Sequence, residues 1–204
     1  MPTQQVALIR HGETEWSMSG QHTGTTDIPL TENGRRVAQM LKPILATVSF
    51  ARVWTSPMQR ARETCEQAGL GEVAEIDRDL VEWNYGRYEG LTSEQIRVQT
   101  PGWLIFRDGC PGGETPEEMG ARVERVIARV RAVDGDVALF AHGHFFRVFV
   151  ARWLGLPVEA GRHFLLDTAT LSILGYYQDI PAVKRWNAPL TASDSSAGLA
   201  RKER

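Results

Sequence analysis

The chain has 204 residues, 42% of them hydrophobic and 24% charged, a balance that suits a soluble globular protein and excludes a fibre or a disordered chain. A formal net charge of −2 argues against a nucleic-acid partner, and no apolar run approaches the roughly 20 residues of a membrane span. The two cysteines, Cys65 and Cys110, have no metal-ligand spacing, and no basic stretch leads into an apolar signal core, so a reducing, cytoplasmic compartment is expected.

From the N-terminus, Val6-Ala7-Leu8-Ile9 is continuously apolar, as a strand covered on both faces would be. Arg10 and His11 stand where it ends, and Gly12 lets the chain turn away. A neutral imidazole is a competent nucleophile near pH 7, and neighbouring guanidinium groups oppose its protonation while pairing with phosphoryl oxygens. After Thr31, Val37, Ala38, Met40, Leu41, Ile44 and Leu45 recur at helical spacing, with a kink or early end expected at Pro43. A short strand follows over 52–55. Ser56-Pro57-Met58-Gln59 then reads as a helix start, with Ser56 as N-cap and Pro57 at the first helical position, running to about Ala68.

Residues 79–113 are rich in glycine and aromatic side chains and read as loops around a short helix from about Thr92 to Gln99; such loops commonly line a site. Thr115-Pro116-Glu117-Glu118 opens a longer helix with one apolar face, and Asp134-Gly135 ends it. Val137 to Ala141 is a further buried strand ending at His142, followed by a helix from Phe145 to Leu154. Two more strands, 171–177 and 182–186, are expected to pair through the 178–181 turn. A single domain over 1–190 is expected, with a mobile tail from 191 to 204. Alternating strands and helices predict an α/β three-layer sandwich, a mostly parallel central sheet flanked by helices.

In such a sheet the strand ends converge on one edge, where open α/β sheets place ligands. Arg10 and His11, then Ser56 to Arg60, then His142-Gly143-His144 arrive there from separate strands. Arg60 falls on the first turn of a helix, where backbone N–H groups and the macrodipole favour an anion. The pair His142 and His144 with His11 invites a metal reading, but no Asp, Glu or Cys cluster accompanies them at ligand spacing, and nearby arginines would repel a cation. No metal and no cofactor are expected.

The motifs R-H-G-E-T-E-W at 10–16, S-P-M-Q-R-A at 56–61, Glu82 before Tyr85-Gly86, and A-H-G-H at 141–144 together resemble those of the histidine phosphatase superfamily, the phosphoglycerate mutase-like proteins, in order and spacing over nearly the whole chain. The resemblance implies that His11 is the nucleophile that becomes phosphohistidine, that Arg10 and Arg60 hold phosphoryl oxygens, that His142 completes the pocket and that Glu82 exchanges the proton with leaving group and water. The stretches at 17–31, 82–92, 107–110 and 140–147 are most similar to the sedoheptulose-1,7-bisphosphatase type and to small bacterial acid phosphatases. Phosphoglycerate mutases usually carry Asn where this chain has Ser17 and a longer segment than the one separating Glu82 from His142.

The resemblance therefore implies hydrolysis of small phosphomonoesters, sugar phosphates or bisphosphates, with a cofactor-dependent phosphoglycerate mutase as the alternative and a catalytically silent phospho-ligand or protein-binding module as the alternative of another class. Competent residues at every catalytic position weigh against the silent module. The expected partner is a small-molecule phosphate ester, with the protein a monomer or homodimer. Ser17, Thr23, Gly24, Tyr85, Gly143 and Arg147 are the candidates for substrate contact beyond the phosphate, and Arg107 is a further one. Thr23 and Gly24 fall in a turn permitting close backbone approach, and Arg147 lies one helical turn beyond Gly143. His144 reads as a packing residue, and His22 and His163 have no assigned role.

Overall fold

The apolar runs become adjacent strands of one sheet. The computed structural model describes residues 4–189, so the expected tail over 191–204 lies outside the described residues. The strands are β1 (Val6–Arg10), β2 (Phe50–Thr55), β3 (Glu75–Ile76), β4 (Asp136–Ala141), β5 (Leu171–Tyr177) and β6 (Ile180–Ala188), ordered β3-β2-β4-β1-β5-β6. The pairs β1 with β4, β2 with β4 and β2 with β3 are parallel, while β5 pairs antiparallel with both β1 and β6. The two antiparallel pairings hold the C-terminal hairpin, whose turn is tightened by Gln178 at φ 57°.

The pleat of β1 and β4 divides the core between two faces. Val6, Leu8, Val137 and Leu139 join one cluster, with Phe145, Phe149 and Trp153 among its members. Ala7, Ile9, Ala138 and Phe140 join the other, with Leu41, Leu45 and Cys65. The first face is covered by α7 (Pro116–Arg131) and α8 (Gly143–Trp153), the second by α3 (Lys42–Leu45) and α4 (Gln59–Gln67), with α2 (Glu32–Gln39) packed on α4. The three-layer α/β architecture is as the strand and helix alternation predicts.

Three helical details depart from expectation. The helix after Thr31 breaks at Met40 and Leu41, ahead of Pro43, which instead sits in the first turn of α3. The cap of α4 is Met58, with no side-chain capping bond, so Ser56 is not the N-cap and Pro57 is not in the helix. The Ser56 hydroxyl is engaged by His142, 2.8 Å away, and Met58 is extended at ψ 135°, so the helix starts only at Gln59. α8 begins at Gly143, two residues ahead of the expected Phe145. Thr115 caps α7 with a reciprocal Glu118 box, and Thr92 caps α5 (Ser93–Gln99) likewise with Gln95. Two short helices, α1 (Glu15–Ser19) and α6 (Ile105–Asp108), and β3 were not anticipated.

Candidate active site

Parallel register brings three chain reversals to one edge. Arg10 pairs with Ala141 and Thr55 with Phe140, and the ladder continues one residue beyond each strand: His11 N donates to the Ala141 carbonyl (3.0 Å) and Ser56 N to that of Phe140 (2.9 Å). His11, Ser56 and His142 therefore lie side by side. The turn after His11 is tight. A Cβ on Gly12 would lie 2.8 Å from the Gly34 carbonyl oxygen, so only glycine allows α2 to approach this turn.

Hydrogen-bond partners fix the state of each imidazole. His11 Nδ1 lies 2.8 Å from the Gly12 carbonyl; a carbonyl only accepts, so Nδ1 carries the proton and the Nε2 lone pair is free. His142 has no such freedom. Its Nδ1 accepts from Arg60 Nε (3.2 Å), which leaves the proton on Nε2 to be donated to Ser56 Oγ (2.8 Å). The two rings sit 5.3 Å apart between centroids. Burial, then the charges of Arg60 and Arg10, pushes the His11 pKa well below its ordinary value; burial and Arg60 do the same to His142.

The cations are held by carbonyls. Arg10 Nη1 donates to the Leu166 carbonyl, and its Nε is buried with no partner. Arg60 is fully buried, with Nη1 on the Thr26 carbonyl (3.1 Å) and Nη2 on those of Thr23 (3.0 Å) and Gly24 (3.1 Å). A single Nη1 hydrogen is left without a protein acceptor. The loop that supplies these carbonyls is gripped from behind by Glu89 Oε1, which accepts from Gly24 N (2.9 Å) and Thr26 N (3.0 Å). Gly24 has no room for a side chain, since a Cβ would sit 2.6 Å from the Trp83 carbonyl oxygen.

Glu82 reaches the same edge from the loop before α5. Its Oε1 accepts from Trp83 N (2.9 Å) and Phe145 N (2.9 Å) and its Oε2 from His144 N (3.0 Å), so the carboxyl docks on the free N–H groups that open α8. A cavity of about 200 Å³ has His11 and Glu82 in its wall, together with Arg10, Tyr85, Gly143 and Arg147. Ser17, Thr23, His22 and His144 line it as well. Arg60 and His142 are not among the lining residues; they form the layer behind His11. A larger hollow of about 650 Å³ has Glu82, Arg122 and Arg125 in its wall, but those arginines are paired with Glu114 and Asp79. The smaller cavity holds the uncompensated donor and the free imidazole nitrogen, so it is the one equipped for an anionic ligand.

Other sequence candidates are placed as follows. Arg147 stacks over Phe106 at 4.7 Å and donates from Nε and Nη2 to the carbonyls of Gly161 and Arg162, both 3.1 Å. It is a cavity cation rather than an ion-paired helix surface residue. Ser17 closes the capping box of α1 with Thr14. Tyr85 OH lies 2.6 Å from His144 Nδ1, and its ring stacks on His22 at 4.6 Å between centroids. Burial, then the charge of Glu82, raises the Tyr85 pKa well above the usual phenol value, burial and Arg147 lower that of His144, and burial lowers that of His22 to about 4. Arg107 does not join the site: its exposed guanidinium turns to Asp108 (2.8 Å) and the Gly102 carbonyl (2.8 Å). His163 is exposed and contacts Arg162. Sequence reasoning missed Glu89, Glu114 and Arg122, whose partners are mostly backbone groups far along the chain.

Among the described residues, no cluster of three or more His, Cys, Asp or Glu is placed to hold a metal ion, and no helix is long and apolar enough to cross a membrane. The model of the histidine phosphatase superfamily (branch 1) matches residues 6–189. The chain belongs to the histidine phosphatase superfamily. An acid phosphatase of Mycobacterium tuberculosis is 39% identical to this histidine phosphatase over 176 residues, 84% of this chain and 86% of the relative. A sedoheptulose 1,7-bisphosphatase of Saccharomyces cerevisiae is 39% identical over 192 residues, 77% of this chain and 70% of the relative. The solved structure of the Mycobacterium tuberculosis open reading frame Rv3214 superposes with a TM-score of 0.88 at 36% identity, covering 93% of this chain and 100% of that one. This histidine phosphatase is a phosphoric monoester hydrolase.

Proposed function

We propose that this enzyme hydrolyses small sugar phosphates or bisphosphates in two steps through a phosphohistidine on His11. One observation carries the reading: of His11 and His142, only His11 keeps an unengaged ring nitrogen, and it lines a cavity that Glu82 also lines. In the first step His11 Nε2 forms a bond to phosphorus, the ester P–O bond breaks, and the Glu82 carboxylic acid gives its proton to the departing oxygen. In the second, water attacks phosphorus, passes a proton to Glu82, and the P–N bond breaks to release phosphate. Arg10, whose Nε has no protein partner, supplies a donor on the cavity wall for the charge spread over the phosphoryl oxygens, and Arg60 adds positive charge from the layer behind His11.

Support for one catalytic domain comes from the single six-stranded sheet and from the family match over residues 6–189. Support for hydrolysis over phosphoryl return comes from Ser17, from the short segment between Glu82 and His142, and from the names of both relatives. The test is a phosphate-release assay over a panel of sugar phosphates, run beside 3-phosphoglycerate with bisphosphoglycerate. Stoichiometric phosphate from the sugar esters is expected; isomerisation of 3-phosphoglycerate without release would overturn the reading.

Arg147 favours substrates with a second anionic group. Its charge and that of Arg10 act on one another near the cavity, and both are held by carbonyls rather than carboxylates. Arg147→Ala is expected to raise KM for a sugar bisphosphate by about 10-fold or more, the worth of one charge-assisted hydrogen bond. The matched monophosphate should change far less, and an equal change in both would remove Arg147 from the second-anion role.

A further inference from the structure

A buried arginine outside the cavity wall's reacting groups holds the segment from which Glu82 projects. Arg122, on α7, is only 8% exposed. Its Nη1 donates to the carbonyls of Asp79 (2.8 Å) and Val81 (2.7 Å), and its Nη2 to that of Glu82 itself (3.3 Å). The remaining face of the guanidinium forks onto Glu114, with Nε at 2.8 Å and Nη2 at 2.7 Å from the two carboxylate oxygens. Glu114 grips the same segment a second time: its carbonyl accepts from Trp83 Nε1 (2.8 Å), and its N donates to the Asn84 carbonyl (2.9 Å). Every residue from 81 to 84 is thereby fixed from the α7 side, while the Glu82 carboxyl is fixed from the α8 side by two N–H groups, those of His144 and Phe145, and by the neighbouring Trp83 N–H.

Burying a guanidinium is costly unless all its donors are engaged. Here three hydrogens go to backbone carbonyls of one loop and two to the Glu114 carboxylate, an arrangement that secures the position of that loop. We propose that Arg122, aligned by Glu114, is a positioning residue that sets where the Glu82 carboxyl stands across the cavity from His11. The inference rests on the proton-transfer role given to Glu82 above. A lysine offers one charged point in place of a planar fork, so it cannot hold three carbonyls and a carboxylate at once.

Leaving-group chemistry separates this from a general structural role. An alkyl phosphate needs its departing oxygen protonated, whereas p-nitrophenyl phosphate releases a stabilised phenolate that needs no proton. The value of kcat/KM reports the steps through P–O cleavage for each. Glu82→Gln is the reference, expected to lower kcat/KM for the alkyl ester by about 10²- to 10⁴-fold and to spare the aryl ester. Arg122→Lys is expected to reproduce that selectivity, with a loss of about 10- to 100-fold on the alkyl ester and little on the aryl ester. Glu114→Gln should shift in the same direction by a smaller factor, and it decides the matter if the lysine variant does not fold. Equal losses on both esters, or none on either, in a variant that melts like the native protein would overturn the positioning role. Loss of selectivity in Glu82→Gln itself would instead overturn the assignment of Glu82.

Discussion

His11→Ala is expected to lower phosphate release from every phosphomonoester by on the order of 10⁴-fold or more, the scale seen when a covalent nucleophile is removed. No neighbour can substitute. His142 has both nitrogens engaged, by Arg60 and by Ser56, and it stands behind His11 rather than on the cavity wall. His144 is turned to Tyr85 OH. The measurement is a quench-flow assay with radioactive ester, followed by trapping of acid-labile phosphate on protein. Native enzyme should carry the label and the alanine variant none. A variant within tenfold of native turnover would remove His11 as nucleophile, and native protein that binds the ester without labelling would make the chain a binding module.

Acid is expected to unfold this protein unusually early. Burial holds the pKa of His11, His22, His142 and His144 below the ordinary value of about 6.5, and His22 is brought to about 4. Below pH 6.5 the unfolded chain therefore binds protons that the folded chain refuses. This part of the stability is complete above about pH 7 and is lost as pH falls towards the folded-state values. Each histidine contributes up to about 1.4 kcal/mol per pH unit in that window, so four acting together approach about 5.5 kcal/mol per unit, a large share of a typical domain's stability. Thermal melts at half-unit steps from pH 7.5 to 4.5 check this; a Tm unchanged between pH 7 and 5 would refute it. Because His11 keeps its lone pair well below neutral pH, the acid limb of kcat/KM should coincide with the loss of folded protein.

What could be read from the sequence was what has a repeating or contiguous physical signal. β1 and β4 are unbroken apolar runs because both faces are covered, and α7 shows its buried stripe and capping box directly. The convergence of His11 and His142 follows from placing those strands side by side. α1 escaped because none of its residues is buried, so it has no periodicity to read, and both residues of β3 are exposed. Ser56 was misread because the serine-proline pair imitates a helix cap while its hydroxyl serves His142, 86 positions away. Arg107 was misread because its partner is simply the next residue, Asp108. The Arg122 clamp was invisible for a different reason. Its acceptors are carbonyls 40 to 43 positions distant, and every residue type has a carbonyl.

The sheet's middle pair carries a consequence for how selectivity can be altered. His11 and His142 extend from β1 and β4, which are flanked on both sides by other strands, whereas Trp16 and Ser17 come from the short α1 and Thr23, Tyr85 and Leu166 from segments outside the sheet. The nucleophile is thus anchored to the middle of the sheet, and much of the cavity rim is borne by segments outside it. Varying the side chains of Trp16, Ser17 and Gln21, which line the cavity without holding either arginine, should change which ester is accepted while leaving bond cleavage intact, making the scaffold a convenient starting point for evolving new phosphatase repertoires.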